Sequence, residues 1–237
     1  MSRLKSYFKQ TLRAVAFVTL ASTLPAAAET VEVAPGVQVT KRSYTAPVNE
    51  QPFFGFSAKS PEQKAEDEKF VSAMIGATGS REKALEEITK RAWIAIQGGK
   101  VKEAALRFNQ AFLISPEQSS VYHGFAVIAQ ARFSDFDAAD ELFKIALKQP
   151  NPVRALKADY GRMLLIAKRP RDAQEVLDQA VKEAPDFSDA WTNLAWARFQ
   201  NGDPAAACAA AEEAAKKRPS NNSISDLTAV RNVAQCK

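Results

Sequence analysis

The chain has 237 residues, 46% hydrophobic and 25% charged, an ordinary composition for one or two globular domains. Only 9 residues are Gly and alanine is abundant, which favours helix. Of the 32 Lys and Arg behind the formal charge of +5, four (Arg3, Lys5, Lys9 and Arg13) lie in the first 28 residues, which hold no acid; the remaining 28 face 27 Asp and Glu, and that balance of +1 excludes nucleic-acid binding driven by overall charge.

Residues 1–28 read as an export signal. Behind the basic region, Ala14 to Leu24 (AVAFVTLASTL) is apolar, Pro25 ends the run, and Ala26-Ala27-Ala28 offers a cleavage site that makes Glu29 the mature N-terminus. The run falls short of the roughly 20 residues needed to span a bilayer. It therefore points to a periplasmic or secreted product without stable membrane insertion, with an uncleaved anchor as the rival. A transit peptide fits less well because the run is unbroken, and no Cys near the cleavage site marks a lipoprotein.

Residues 29–59 contain Pro35, Gly36, Pro47, Pro52 and Gly55 and little helical periodicity. They are expected to form a disordered or extended leader. Phe53-Phe54-Gly55-Phe56 stands out within it, as a cover for the apolar end of the helical region or as a ligand for it, in cis or in a neighbouring molecule. Ser60-Pro61-Glu62-Gln63 starts a helix to about Ile75, and Gly76 to Ser80 breaks it.

From there the chain repeats. Pro116, Pro150, Pro185 and Pro219 are spaced 34, 35 and 34 apart, each after an alanine-rich amphipathic run. Ala104, Phe108 and Ala111 recur as Ala139, Phe143 and Ala146, as Ala173, Leu177 and Ala180, and as Ala207, Ala211 and Ala214, one face of a helix each time. Upstream, Trp191, Leu194 and Ala195 correspond to Tyr122, Phe125 and Ala126, to Lys157, Tyr160 and Gly161, and to Ile88, Arg91 and Ala92. The second unit carries one extra residue, placed in its turn near Ser134. Ser115-Pro116 with Gln118, Asn151-Pro152 and Asp203-Pro204 read as helix caps.

The pattern W-x2-L-[GA], then A-x3-[FL]-x2-A and Pro, resembles the tetratricopeptide repeat. The resemblance implies an all-α, right-handed solenoid of about four hairpins over 85–118, 119–153, 154–187 and 188–221, with an extra helix before them. No unit buries its apolar face alone, so the units must stack and the last face needs a cover. Ile224, Leu227, Val230 and Val233 have the spacing for a capping helix within 222–237.

The family's first helices line a concave groove that binds an extended or helical peptide. Matching positions are Thr89, Trp93 and Ile96; His123, Val127 and Gln130; Ala158, Arg162 and Leu165; and Thr192, Asn193 and Trp196. Trp93 and Trp196 read equally as packing residues. The family's clamp for acidic chaperone tails needs Lys and Asn where this chain has Thr89, Trp93, Gly124, Ala155 and Asp159, so that ligand does not fit.

Cys208 and Cys236 suit a disulfide in an exported protein, because a cap antiparallel to the last repeat helix returns Cys236 to Cys208; two separate buried thiols are the rival reading. Enzyme signals are scarce. His123 is the one histidine, which excludes a His-based metal cluster, and residues 76–80 lack the Lys of a phosphate loop. Asp135, Asp137, Asp140 and Glu141 lack calcium-loop spacing. The expectation is a non-catalytic adaptor without cofactor, holding a protein or peptide partner in the cell envelope. A purely structural accessory subunit of an envelope assembly or secretion complex is the alternative, and an enzyme a distant third.

Overall fold

The computed structural model describes residues 29–219 and 221–237, so the export signal lies outside the described residues. Among them, a β-hairpin of β1 (Thr30–Ala34) and β2 (Val37–Thr40) precedes α1 (Pro61–Thr78), α2 (Arg81–Gln97), α3 (Val101–Ile114), α4 (Ser119–Phe133) and α5 (Phe136–Ala146). There follow α6 (Leu156–Ile166), α7 (Pro170–Glu183), α8 (Ser188–Gln200), α9 (Pro204–Lys216) and α10 (Asn221–Val233). The fold is all-α apart from the hairpin. Helices α2 and α3, α4 and α5, α6 and α7, and α8 and α9 pack as four successive hairpins, and α10 packs on α8 and α9.

Ser60 begins α1 with a capping box to Gln63, Ser80 accepts from Lys83 N–H at the start of α2, and Asp203 accepts from Ala206 N–H with Pro204 at the first helical position. Two expected caps are not used. Pro116 lies in a turn, so α4 starts at Ser119 without a side-chain cap. Asn151 takes a left-handed φ of 54°, and the chain becomes helical only at Leu156. The extra residue of the second unit is also not in its turn. It lengthens α4 to Phe133, leaving a two-residue link in which Ser134 is left-handed, with φ 54°.

The repeated small positions are where helices meet. Ala104, Ala111, Ala139, Ala146, Ala173, Ala207 and Ala214 are buried, with Phe108, Phe143 and Leu177 filling the space between them. At Gly124 a Cβ would lie 2.1 Å from the Phe108 ring, so only glycine lets α3 and α4 approach as they do. Asp140 ties three helices: Tyr160 donates to it at 2.7 Å, Lys144 lies at 2.7 Å and Arg169 at 3.1 Å. Burial opposes its ionisation, but the hydrogen bonds from Lys144 and Tyr160 and the Arg169 charge win, and its carboxyl stays below the usual range.

Of the two forms expected of the leader the structure shows the extended one: residues 29–59 form a strap across α3, α4 and α5. Val37 and Val39 of the hairpin are buried, and Thr40 N–H donates to the Glu141 carboxylate at 2.7 Å. Tyr44 stacks on Phe133 with ring centres 3.9 Å apart and donates its hydroxyl to Asp135 at 2.9 Å. Burial, then that hydrogen bond, pushes the Tyr44 hydroxyl well above its ordinary pKa. Past a short turn at Val48–Glu50, residues Pro52–Phe56 wind left-handedly, with φ of 56°, 53°, 60° and 56° at Phe53, Phe54, Gly55 and Phe56. For residues other than Gly this costs about 1–2 kcal/mol each.

Asn109 of α3 holds the turn. Its carboxamide N–H groups donate to the carbonyls of Asn49 at 2.9 Å and Gln51 at 2.7 Å, and its oxygen accepts from Phe54 N–H at 3.0 Å. The result drives Phe53 among Phe112, Tyr122 and Phe125, with ring centres 4.6–6.2 Å away. The aromatic cluster is a cover for the helices. Its contacts fall on α3 and α4, away from the expected groove residues. Local propensity left the docking of the leader unread because the strap's apolar residues are spaced for irregular turns that only a docked surface stabilises.

At the other end, α10 buries Leu227 and Val230 of the four residues expected to cap the array, with Ala234 just beyond it, whereas Ile224 and Val233 turn to solvent. Cys208 of α9 and Cys236 are disulfide-bonded, with Cα atoms 5.3 Å apart.

Candidate functional site

The twelve groove positions expected from the repeat register divide into two groups. Thr89 and Thr192 are buried and turn inward: Thr89 Oγ1 donates to the Leu85 carbonyl at 2.8 Å and Thr192 Oγ1 to the Ser188 carbonyl at 3.1 Å. Ala158 is buried as well. His123 is 1% exposed, so it does not line the surface of a groove. Its ring lies 4.7 Å from Trp93 and 5.7 Å from Phe143, and its Nε2 is 2.9 Å from the Asp159 carboxylate. It is a polar link between the first three hairpins. These residues were misplaced because the repeat register fixes which helix face looks inward, and one residue along a helix turns a side chain by about 100°.

Trp93, Ile96, Val127 and Gln130 are half-buried, and Trp93 also meets the Phe108 ring edge-on at 5.3 Å. Towards the C-terminal end the expected residues converge. Arg162 and Leu165 of α6 and Asn193 and Trp196 of α8 line one pocket of about 260 Å³, together with Ile166, Gln200 and Asp226. Asn193 is nearly buried and donates to the Ala158 carbonyl at 3.0 Å, which fixes its carboxamide. Trp196 rests edge-on against Phe199 at 6.2 Å and offers the pocket the rest of its ring. Arg162 pairs with Asp226 of α10 at 2.5 Å, both side chains in partial contact with solvent.

Sequence reasoning missed Ile166, Gln200 and Asp226. The first two lie one helical turn beyond Arg162 and Trp196, so extending the same face would have found them. Asp226 lies outside the repeats and no register reaches it. Chemically the pocket is an apolar floor with two amides and one ion pair, suited to a side chain and the polar backbone of a bound segment. Among the described residues no cluster of three side chains could hold a metal ion.

The model of the tetratricopeptide repeat matches residues 161–222, from the middle of α6 to the start of α10, a stretch that holds most of the pocket's lining. The chain has the fold of a tetratricopeptide-repeat solenoid. The first two hairpins complete the same fold. A search of curated proteins returned no match.

Among solved structures, the chain is similar to pilF of Pseudomonas aeruginosa, with 22% identity, TM-score 0.55, and 65% of this chain and 71% of that one covered. It is also similar to a tetratricopeptide protein of Thermus thermophilus, with 17% identity, TM-score 0.53, and coverage of 71% and 98%. A third is PilW, a type IV pilus biogenesis factor, with 17% identity, TM-score 0.51, and coverage of 75% and 89%. Proteins of this repeat family are generally non-catalytic scaffolds that bind protein or peptide partners, and no enzymatic family is matched. Among the described residues no helix is long and apolar enough to cross a membrane.

Proposed function

We propose that this protein is a non-catalytic adaptor of the bacterial periplasm or cell envelope that holds a segment of a partner protein in its concave groove. The observation that carries the reading is the convergence of Arg162, Leu165, Asn193 and Trp196, from two different repeats, on one pocket. The half-exposed Ile166 beside them adds apolar surface of the kind that partners cover. Residues 1–28, read as an export signal, support a location outside the cytoplasm, and the likeness in fold to a pilus biogenesis factor fits a role in assembling an envelope complex.

The test is a chemical-crosslinking pull-down from the envelope fraction, followed by affinity measurement on the partner recovered. Replacing Trp93 and Trp196 together by Ala weakens binding by about 1–4 kcal/mol if the rings are contact hot spots. Unchanged binding by a variant with native circular dichroism rejects the groove as the docking face.

A further inference from the structure

One wall of the pocket is not part of a repeat. Asp226 belongs to α10, the C-terminal cap, and it is the residue that neutralises Arg162. The cap's own packing is thin. Leu227, Val230 and Ala234 are buried, but Ile224 and Val233 are about half exposed. A helix of 13 residues has little stability by itself. Besides packing, it is held by the Cys208–Cys236 disulfide just past its C-terminal end, by the Arg162–Asp226 pair and by the Ser223 hydroxyl on Asp189. Both cysteines are partly exposed, within reach of an attacking thiolate.

We infer that α10 is a redox-held wall of the groove: reducing Cys208–Cys236 releases the cap, unpairs Arg162 from Asp226, and converts a charge-neutral pocket walled by α10 into a wider, cationic one that favours an acidic segment. The reductant is a dithiol of the thioredoxin-like or dithiothreitol class. One of its thiolates attacks a cysteine sulfur, its second thiol resolves the mixed disulfide, and two electrons and two protons pass to Cys208 and Cys236 as the reductant becomes a disulfide. The inference deepens the groove reading and rests on it for its biological meaning, but the device itself is measurable without a partner.

The experiment compares the full mature chain oxidised, reduced with dithiothreitol, and as the Cys208→Ser/Cys236→Ser variant. Amide hydrogen exchange follows α10. Phenylglyoxal modification, read by mass spectrometry, follows Arg162, with Arg91, paired to Glu87 within α2, as the internal reference. The expected result is loss of protection confined to residues 223–236 and a severalfold faster modification of Arg162 relative to Arg91. In the oxidised Asp226→Ala variant Arg162 speeds up while α10 stays protected. Full protection of α10 after reduction overturns the proposal. So does loss of protection throughout α6–α9, because the disulfide would then hold the solenoid and not its wall. Neither readout uses a ligand, so these outcomes stand apart from the tryptophan substitutions that test the groove.

Discussion

The strap and the cap come from opposite ends of the chain and cover the helices by different means. The strap is irregular, holds a left-handed turn, and is bound by side chains that reach its backbone, above all Asn109. The cap is a regular helix with modest packing, fastened by one covalent bond. The difference shows that a repeat array can close its apolar faces with a tightly fitted irregular segment or with a loosely fitted regular one. Only the second leaves a seam beside the proposed binding pocket, one that reduction of the disulfide is expected to open.

The comparison can be broken most forcefully at Phe53. Phe53→Ala removes the ring that fills the space between Phe112 and Phe125. It is expected to cost about 3 kcal/mol in denaturant unfolding, at the lower end for a buried Phe. A cost within experimental error would mean that the strap is not part of the cooperative unit. Asn109→Ala leaves the Phe53 contacts in place but removes three hydrogen bonds to strap backbone. The expected loss is smaller, about 2 kcal/mol, and strap amides should exchange faster than those of α2.

The smallest effect is electrostatic. Because the Asp140 carboxyl is held below its usual pKa when folded, its contribution is present above the unfolded carboxylate range and disappears as pH falls through the folded value. Asp140→Asn should therefore lower stability at neutral pH and flatten the acid limb of the stability curve. An acid limb identical to wild type assigns the pH dependence to other carboxylates.

What was legible in the sequence follows the same division. The cap was readable because Leu227 and Val230 keep helical spacing and Cys236 falls where an antiparallel helix returns to Cys208. The hairpins were readable because buried alanines recur at the proline period. The strap was not, because Phe53 and Tyr44 gain their meaning from a surface made by residues more than fifty positions away, and Asn109 looks like any polar residue of an amphipathic helix. Within the groove, the register brought Arg162, Leu165, Asn193 and Trp196 to one pocket, yet it placed Thr89, His123 and Thr192 one face too far outward.

The central claim is that partners dock on the concave face and not on the strapped one, and site-specific photocrosslinking in the envelope tests it most directly. Ile166 in the pocket and Val48 on the strap are nearly equally exposed, at 48% and 50%, so a benzophenone side chain at either position has the same opportunity to react. The account predicts a discrete adduct from position 166 that the Trp93→Ala/Trp196→Ala background diminishes, and none from position 48. An adduct from position 48 with none from 166 would contradict it.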